Sequence, residues 1–259
     1  MEWDWLGLGL SLLNRERFMP GYIIHLSVAK RFLELLKMGA GVEWSLSDRN
    51  SFYLGTLLPD ATDNKIVTHF RDVYKSSWVI SEPNIKEFDK KYTKESFVPP
   101  YISGMNNIDK DQIFYMGYRL HLFVDHLFFV KYLPEWVSFL GQDRREARFR
   151  EDLRWGYCMK KNTWIPGDEF FTDKYYYGDF TILNQKLISA YKLRLEFDWE
   201  IRVPETEECA FMDKTRLRKE LGQFLQKDES GKIELKVFEY WDMIDMIEEL
   251  AVAFIEEYR

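Results

Sequence analysis

Residues 117–128 read GYRLHLFVDHLF, and no other stretch limits the fold as strongly. Phe114, Leu120, Leu122, Val124, Phe128 and Val130 surround its polar residues on nearly every side. The run from Asp109 to about Tyr132 therefore reads as a helix enclosed by protein over most of its circumference. Asp109 and Gln112 form a capping pair at its start, and Pro134 closes it. Inside this helix His121 and Asp125 are four residues apart and share one side, one turn from each other. A buried carboxylate is strongly unfavourable unless a cation or good donors compensate it. Taken alone, H-x-x-x-D is short enough to be a buried hydrogen bond that ties helices together. His126 is rotated well away from His121.

The remaining chain predicts more helices of the same kind. From Gly21 to about Met38, Val28, Ala29, Phe32, Leu33 and Leu36 fall on one side; Ser27, Lys30, Arg31, Glu34 and Lys37 fall on the other. Gly39-Ala40-Gly41 ends that helix, and a second, from Asp48 to Leu58, is stopped by Pro59. Residues 81–108, rich in Pro, Asn, Gly and Lys, read as a long surface connection. Helical segments follow at about 135–160, 180–198 and 234–258, the last with a stripe of Phe238, Trp241, Ile244, Leu250, Ala251 and Phe254. The arginine cluster at 144–154, RREARFREDLR, reads as a solvated helix face. Strand-like alternation is weak and short. The expected class is all-α, a single multi-helix domain with a site between buried helices. With 46% hydrophobic and 17% aromatic residues, the chain has ample material for its core.

His121 and Asp125 do not stand alone. His25 lies in the first turn of the N-terminal helix, in phase with Ala29, Phe32 and Leu36. An inward-pointing imidazole there offers a nitrogen donor to a metal. Asp60 follows Pro59 at a helix exit, and His69 comes nine residues later. All four histidines fall within residues 25–126. Such nitrogen and oxygen donors suit Zn²⁺, with Mn²⁺ or Fe as alternatives, and lack the thiolates of a purely structural zinc site. The two cysteines, Cys158 and Cys209, have no C-x-x-C spacing, which fits a reducing compartment rather than a disulfide framework.

The order P-x-x-x-x-H, LPD, THF and H-x-x-x-D-H, over roughly residues 19–130, resembles the zinc-dependent phospholipase C family. Its wider superfamily includes single-strand-specific nucleases. The resemblance implies an all-α fold that holds zinc ions among helices. Residue by residue, His69, His121 and Asp125 match the ligands of one zinc. His25 matches an early histidine on a neighbouring zinc that shares the Asp125 carboxylate. Asp60 matches an aspartate that touches metal and acts as general base. The chain departs from the pattern in two ways. Eighteen residues precede Met19, where the family uses the amino group of an N-terminal tryptophan as a ligand. No histidine follows His126, where the family places two more. The expectation is therefore one or two metals, completed by a carboxylate such as Asp63, Asp179 or Glu169. Asp179, in YGDFTILN, also reads as the cap of a helix starting near Phe180.

These readings lead to a metal-dependent hydrolase of a small phosphorylated or lipid-like substrate. His126 would orient a ligand or contact a neighbouring helix. Two alternatives are an HD-type phosphohydrolase and a non-catalytic helical metal-binding or interaction domain. The mark of the HD type is His followed directly by Asp, whereas this chain has only the reverse order, Asp125-His126. A net charge of −7 argues against double-stranded nucleic acid and against anionic membrane surfaces. The apolar WLGLGLSLL near the N-terminus is too short to cross a membrane and follows acidic residues. Residues 1–18 therefore read as an extension of a helical domain spanning 19–259, in a cytoplasmic protein.

Overall fold

The computed structural model describes residues 21–92, 109–224 and 234–257. The N-terminal extension expected at 1–18 lies outside the described residues. The fold is predominantly helical, with the His/Asp cluster between buried helices. Helix α1 (Tyr22–Ala40) ends where Gly41 turns left-handed and its N–H bonds the Lys37 carbonyl. Helix α2 (Leu46–Leu57) is capped by Ser45, whose hydroxyl oxygen accepts the Asp48 N–H. Pro59 then forces a single tight turn, Leu58–Asp60, before the one-turn α3 (Lys65–Thr68). Helices α4 (Ile85–Tyr92) and α5 (Lys110–Leu127) follow. Asp109 caps α5 by accepting the Asp111 N–H, so Gln112 is not the partner the sequence suggested.

Two glycines decide how α2 and α5 meet. A Cβ on Gly55 would lie 2.0 Å from the Phe114 carbonyl oxygen, and one on Gly117 would lie 2.1 Å from the Phe52 carbonyl oxygen. The two backbones therefore touch directly, which only glycine permits at these positions. Helix α10 (Tyr240–Glu256) covers the other side of α1, with Phe254 edge-on to Phe32, whose ring also packs on Phe52.

Helix α5 runs into a π-helical turn, Phe128–Tyr132, and a short α6 (Leu133–Trp136). Beyond it the helix expected over 135–160 is absent. Three short strands stand there instead: β1 (Val137–Leu140), β2 (Trp155–Cys158) and β3 (Thr163–Pro166), antiparallel in the order β1-β2-β3. Their alternation lasts four residues each, too brief to register in the sequence. Gly156, paired with Phe139 and Ile165, admits the Phe170 ring, 2.2 Å from where a Cβ would sit. The arginine cluster is accordingly a loop and one 3₁₀ turn (Arg150–Asp152), with Arg148 stacked 3.9 Å above Trp78.

Other expectations also shift. The connection at 81–108 contains α4, whose Phe88 is buried against Tyr118; residues 93–108 lie outside the described residues. After α7 (Gly167–Phe170), helix α8 spans Tyr176–Ala190, starting earlier and ending earlier than expected. Helix α9 (Lys214–Phe224) comes next. In the last helix Trp241 is 71% exposed rather than part of the inner stripe, and Phe238 precedes the helix. Ser27, read as solvent-facing, is buried and donates its hydroxyl to the Ile23 carbonyl.

Candidate metal centre

Four elements converge on one buried cluster. His25 comes from the first turns of α1, Asp60 from the turn after α2, His69 from the C-terminal end of α3, and His121 with Asp125 from α5. His25, His69, His121 and Asp125 have no solvent exposure, and Asp60 is 7% exposed. The structure thus brings together all five residues that the sequence singled out.

Hydrogen bonds fix which imidazole nitrogen carries the proton. His121 Nδ1 lies 2.9 Å from the Thr56 carbonyl oxygen, near the C-terminal end of α2. A carbonyl can only accept, so Nδ1 is protonated and Nε2 presents its lone pair. The close α2–α5 approach through Gly55 and Gly117 makes this contact possible. His69 Nδ1 lies 2.9 Å from the Thr68 hydroxyl, which spends its own proton on the Pro59 carbonyl at 2.9 Å. The hydroxyl oxygen therefore accepts from Nδ1, and in the neutral ring His69 Nε2 presents its lone pair as well. This outer support, an N–H held by a carbonyl or hydroxyl, is the usual arrangement behind a metal-bound histidine. Burial, together with the neighbouring His25, pushes the His121 imidazolium pKa down to about 3. The ring is neutral at ordinary pH.

The two Nε2 atoms face each other at 3.0 Å. Asp60 Oδ1 lies 3.5 Å from His69 Nε2 and 3.9 Å from His121 Nε2. Asp125 Oδ2 lies 3.5 and 3.7 Å from the same two nitrogens. The four atoms form two triangles sharing the His69–His121 edge. Their separations bracket the donor–donor edge of about 3.3–3.6 Å around a four-coordinate ion with bonds of about 2.0–2.2 Å. With both ring protons on Nδ1, no hydrogen lies between these nitrogens, and two lone pairs at this distance repel unless a cation separates them. Neither oxygen of Asp125 accepts any hydrogen bond, although both are buried. An unsatisfied buried carboxylate beside two lone pairs is the chemistry of a metal site, and these residues could hold an ion.

His25 occupies the second side of the same carboxylates. Its Nε2 is 3.2 Å from Asp125 Oδ1 and 4.0 Å from Asp60 Oδ2, and neither ring nitrogen has a hydrogen-bond partner. The ring stacks on His121 with centroids 4.0 Å apart. Each aspartate thus turns one oxygen toward His69–His121 and the other toward His25. His25, Asp60 and His121 form a second group close enough to share an ion.

The carboxylates proposed to complete the site do not reach it. Asp63 is exposed and pairs with Arg216, and Glu169 pairs with Lys174. Asp179 is buried in the first turn of α8, where its oxygens accept the backbone N–H groups of Lys236, Val237 and Phe238. It clamps the segment before α10 rather than capping a helix at Phe180. His126 is half-buried and belongs to neither ligand group. Sequence reasoning missed Thr56, Thr68 and Lys65. Only Thr68 left a signal, as the hydroxyl residue directly before His69. The Lys65 ammonium lies 2.8 Å from Asp60 Oδ1. Burial raises the Asp60 pKa, but the Lys65 ammonium opposes it, and the carboxyl is held well below its usual range.

No described helix is long and apolar enough to cross a membrane. The chain matches no protein-family model, no curated protein and no solved structure.

Proposed function

We propose that this protein is a metal-dependent hydrolase of a small phosphoester, with zinc as the ion. The observation that carries this reading is the pair of Nε2 atoms of His69 and His121, 3.0 Å apart and flanked by the Asp60 and Asp125 carboxylates. His69, His121, Asp125 and Asp60 would hold the ion, with His25 offering a donor on the second side. A divalent metal bound there lowers the pKa of a water toward neutrality and offsets phosphoryl charge. The chain's own contribution is positional. Thr56 and Thr68 lock the two rings, and α5 keeps Asp125 dry. Asp60, the one cluster carboxylate that solvent reaches, orients the attacking water and takes its proton at a carboxylate oxygen. Both cysteines are buried and unpaired, which supports a reducing, cytoplasmic setting.

Elemental analysis of protein never exposed to chelator should find at least one zinc per chain, lost in His121→Ala. Generic phosphomonoester and phosphodiester substrates should then turn over in a metal-dependent way, and Asp60→Asn should abolish that turnover. One observation favours a second reading, a structural metal in a non-catalytic domain: the cluster is nearly sealed from solvent, as closed structural sites are. Stoichiometric metal without turnover on any substrate would select it. The HD-type alternative loses ground, because His126 beside Asp125 stands outside the cluster.

A further inference from the structure

Solvent approaches the cluster along one edge. His25, His69, His121 and Asp125 are fully enclosed, whereas Asp60 is 7% exposed and its partner Lys65 is 11% exposed. The Lys65 ammonium stands at this edge, directly on the carboxylate that solvent reaches. The rim beside it is tied down. The Asp213 N–H donates to the Ala61 carbonyl at 2.8 Å, which fixes the start of α9 to the turn after Asp60. Arg216 is held by Asp63 at 2.6 Å and by Glu220 at 3.1 Å, and Glu220 in turn accepts the Tyr22 hydroxyl at 2.6 Å. Lys65 differs from Arg216 in its partner, because it rests on a residue of the metal site itself.

Which oxygen it rests on matters. Lys65 bonds Asp60 Oδ1, the oxygen that faces His69 and His121. A metal ion between those nitrogens and the ammonium would compete for the same lone pairs. Lys65 stands on a flexible stem on a one-turn helix and can turn away without breaking a longer element. Turned away from Oδ1, its charge remains at the entrance, within reach of whatever approaches the metal. Lysine acts as a point charge toward phosphate oxygens. We propose that Lys65 is an anion-recognition residue: it yields Asp60 to the metal and then binds a non-bridging oxygen of a phosphoryl group. This rests on the metal-hydrolase reading and narrows its substrates to those with an anionic phosphoryl oxygen at the entrance.

Calorimetric titration of the full chain tests it, first with Zn²⁺ and then, on zinc-loaded protein, with inorganic phosphate. Lys65→Gln should bind Zn²⁺ about tenfold more tightly, since the competing ammonium is gone, and phosphate about tenfold more weakly. Lys65→Arg should keep phosphate affinity within about threefold, because the charge is retained. A merely structural lysine would shift both affinities in the same direction. Lys65→Met, which keeps the apolar stem, repeats the comparison if the glutamine variant folds poorly. Zinc binding with phosphate affinity unchanged in Lys65→Gln would overturn the role of Lys65 and leave the metal reading standing. Absence of zinc binding in the wild type and in Lys65→Gln would overturn both.

Discussion

Gly117 of α5 lies against the Phe52 carbonyl of α2, so close that an added Cβ would sit 2.1 Å from that oxygen. This contact and its mirror at Gly55 set the distance between the two helices that carry the site. Gly117→Ala should therefore force the helices apart and destabilise the protein by about 3 kcal/mol or more. The measurement is the urea midpoint, with metal content read in parallel. Because His121 reaches Thr56 only at this spacing, metal content should fall with stability. A stable variant with full metal would refute the coupling.

Thr68 offers a subtler test. Thr68→Val keeps the shape but removes the oxygen that accepts from His69 Nδ1. Zinc affinity should drop roughly 10- to 100-fold, as for other outer-sphere partners of metal-bound histidines. His126→Ala, at a histidine outside both ligand groups, should leave zinc affinity as it was.

Acid should weaken the metal-free protein earlier than carboxylates alone would predict. The folded His121 pKa lies near 3 and the ordinary value is 6.5. Above pH 6.5 both folded and unfolded chains keep the ring neutral, and the full contribution to stability is present. As pH falls below 6.5 the unfolded chain takes up a proton that the folded chain refuses. Stability then declines down to about pH 3, by on the order of 5 kcal/mol in total for this group. Denaturant melts at pH 7, 6, 5 and 4 should show the decline, and His121→Gln should flatten the part between pH 6.5 and 4.

Asp179 separates architecture from chemistry. Its oxygens collect the N–H groups of Lys236, Val237 and Phe238. Asp179→Ala would leave those donors without their acceptor and cost about 2–3 kcal/mol of stability. Zinc stoichiometry should not change, since the residue is not in the cluster. Loss of zinc from a folded Asp179→Ala protein would make it a ligand after all.

The sequence carried the helical class and pointed to five residues that the fold brings together, but not the elements around them. His25, His121 and Asp125 were legible because apolar neighbours mark their helix faces as buried, whereas Asp60 and His69 stood out through their place after Pro59 and the LPD and THF motifs. Helical period alone was enough to align His121 with Asp125. Their surroundings were less visible. Thr56 contributes a backbone carbonyl, which no side-chain pattern records, and Lys65 looks like any surface lysine until Asp60 is placed beside it. The sheet at 137–166 escaped because four-residue strands offer too few alternations, and its aromatic and arginine residues fit a helix face equally well. Trp241 was misplaced for a related reason. An apolar residue at helical spacing says which face could be buried, whereas the neighbouring elements decide which face is.

The π turn at Phe128–Tyr132 now takes on a role of its own. Such a turn contains one residue more than an α turn, so the downstream chain is rotated about the axis by about 100° relative to an unbroken helix. Upstream, the helix is phased so that His121 and Asp125 look into the cluster. Downstream, Trp136 packs on Phe128 and on Phe238, toward the other half of the molecule. The extra residue acts as a coupling that lets one continuous rod obey two independent angular demands. Removing Val130, which is exposed, would restore uniform winding and make those demands incompatible.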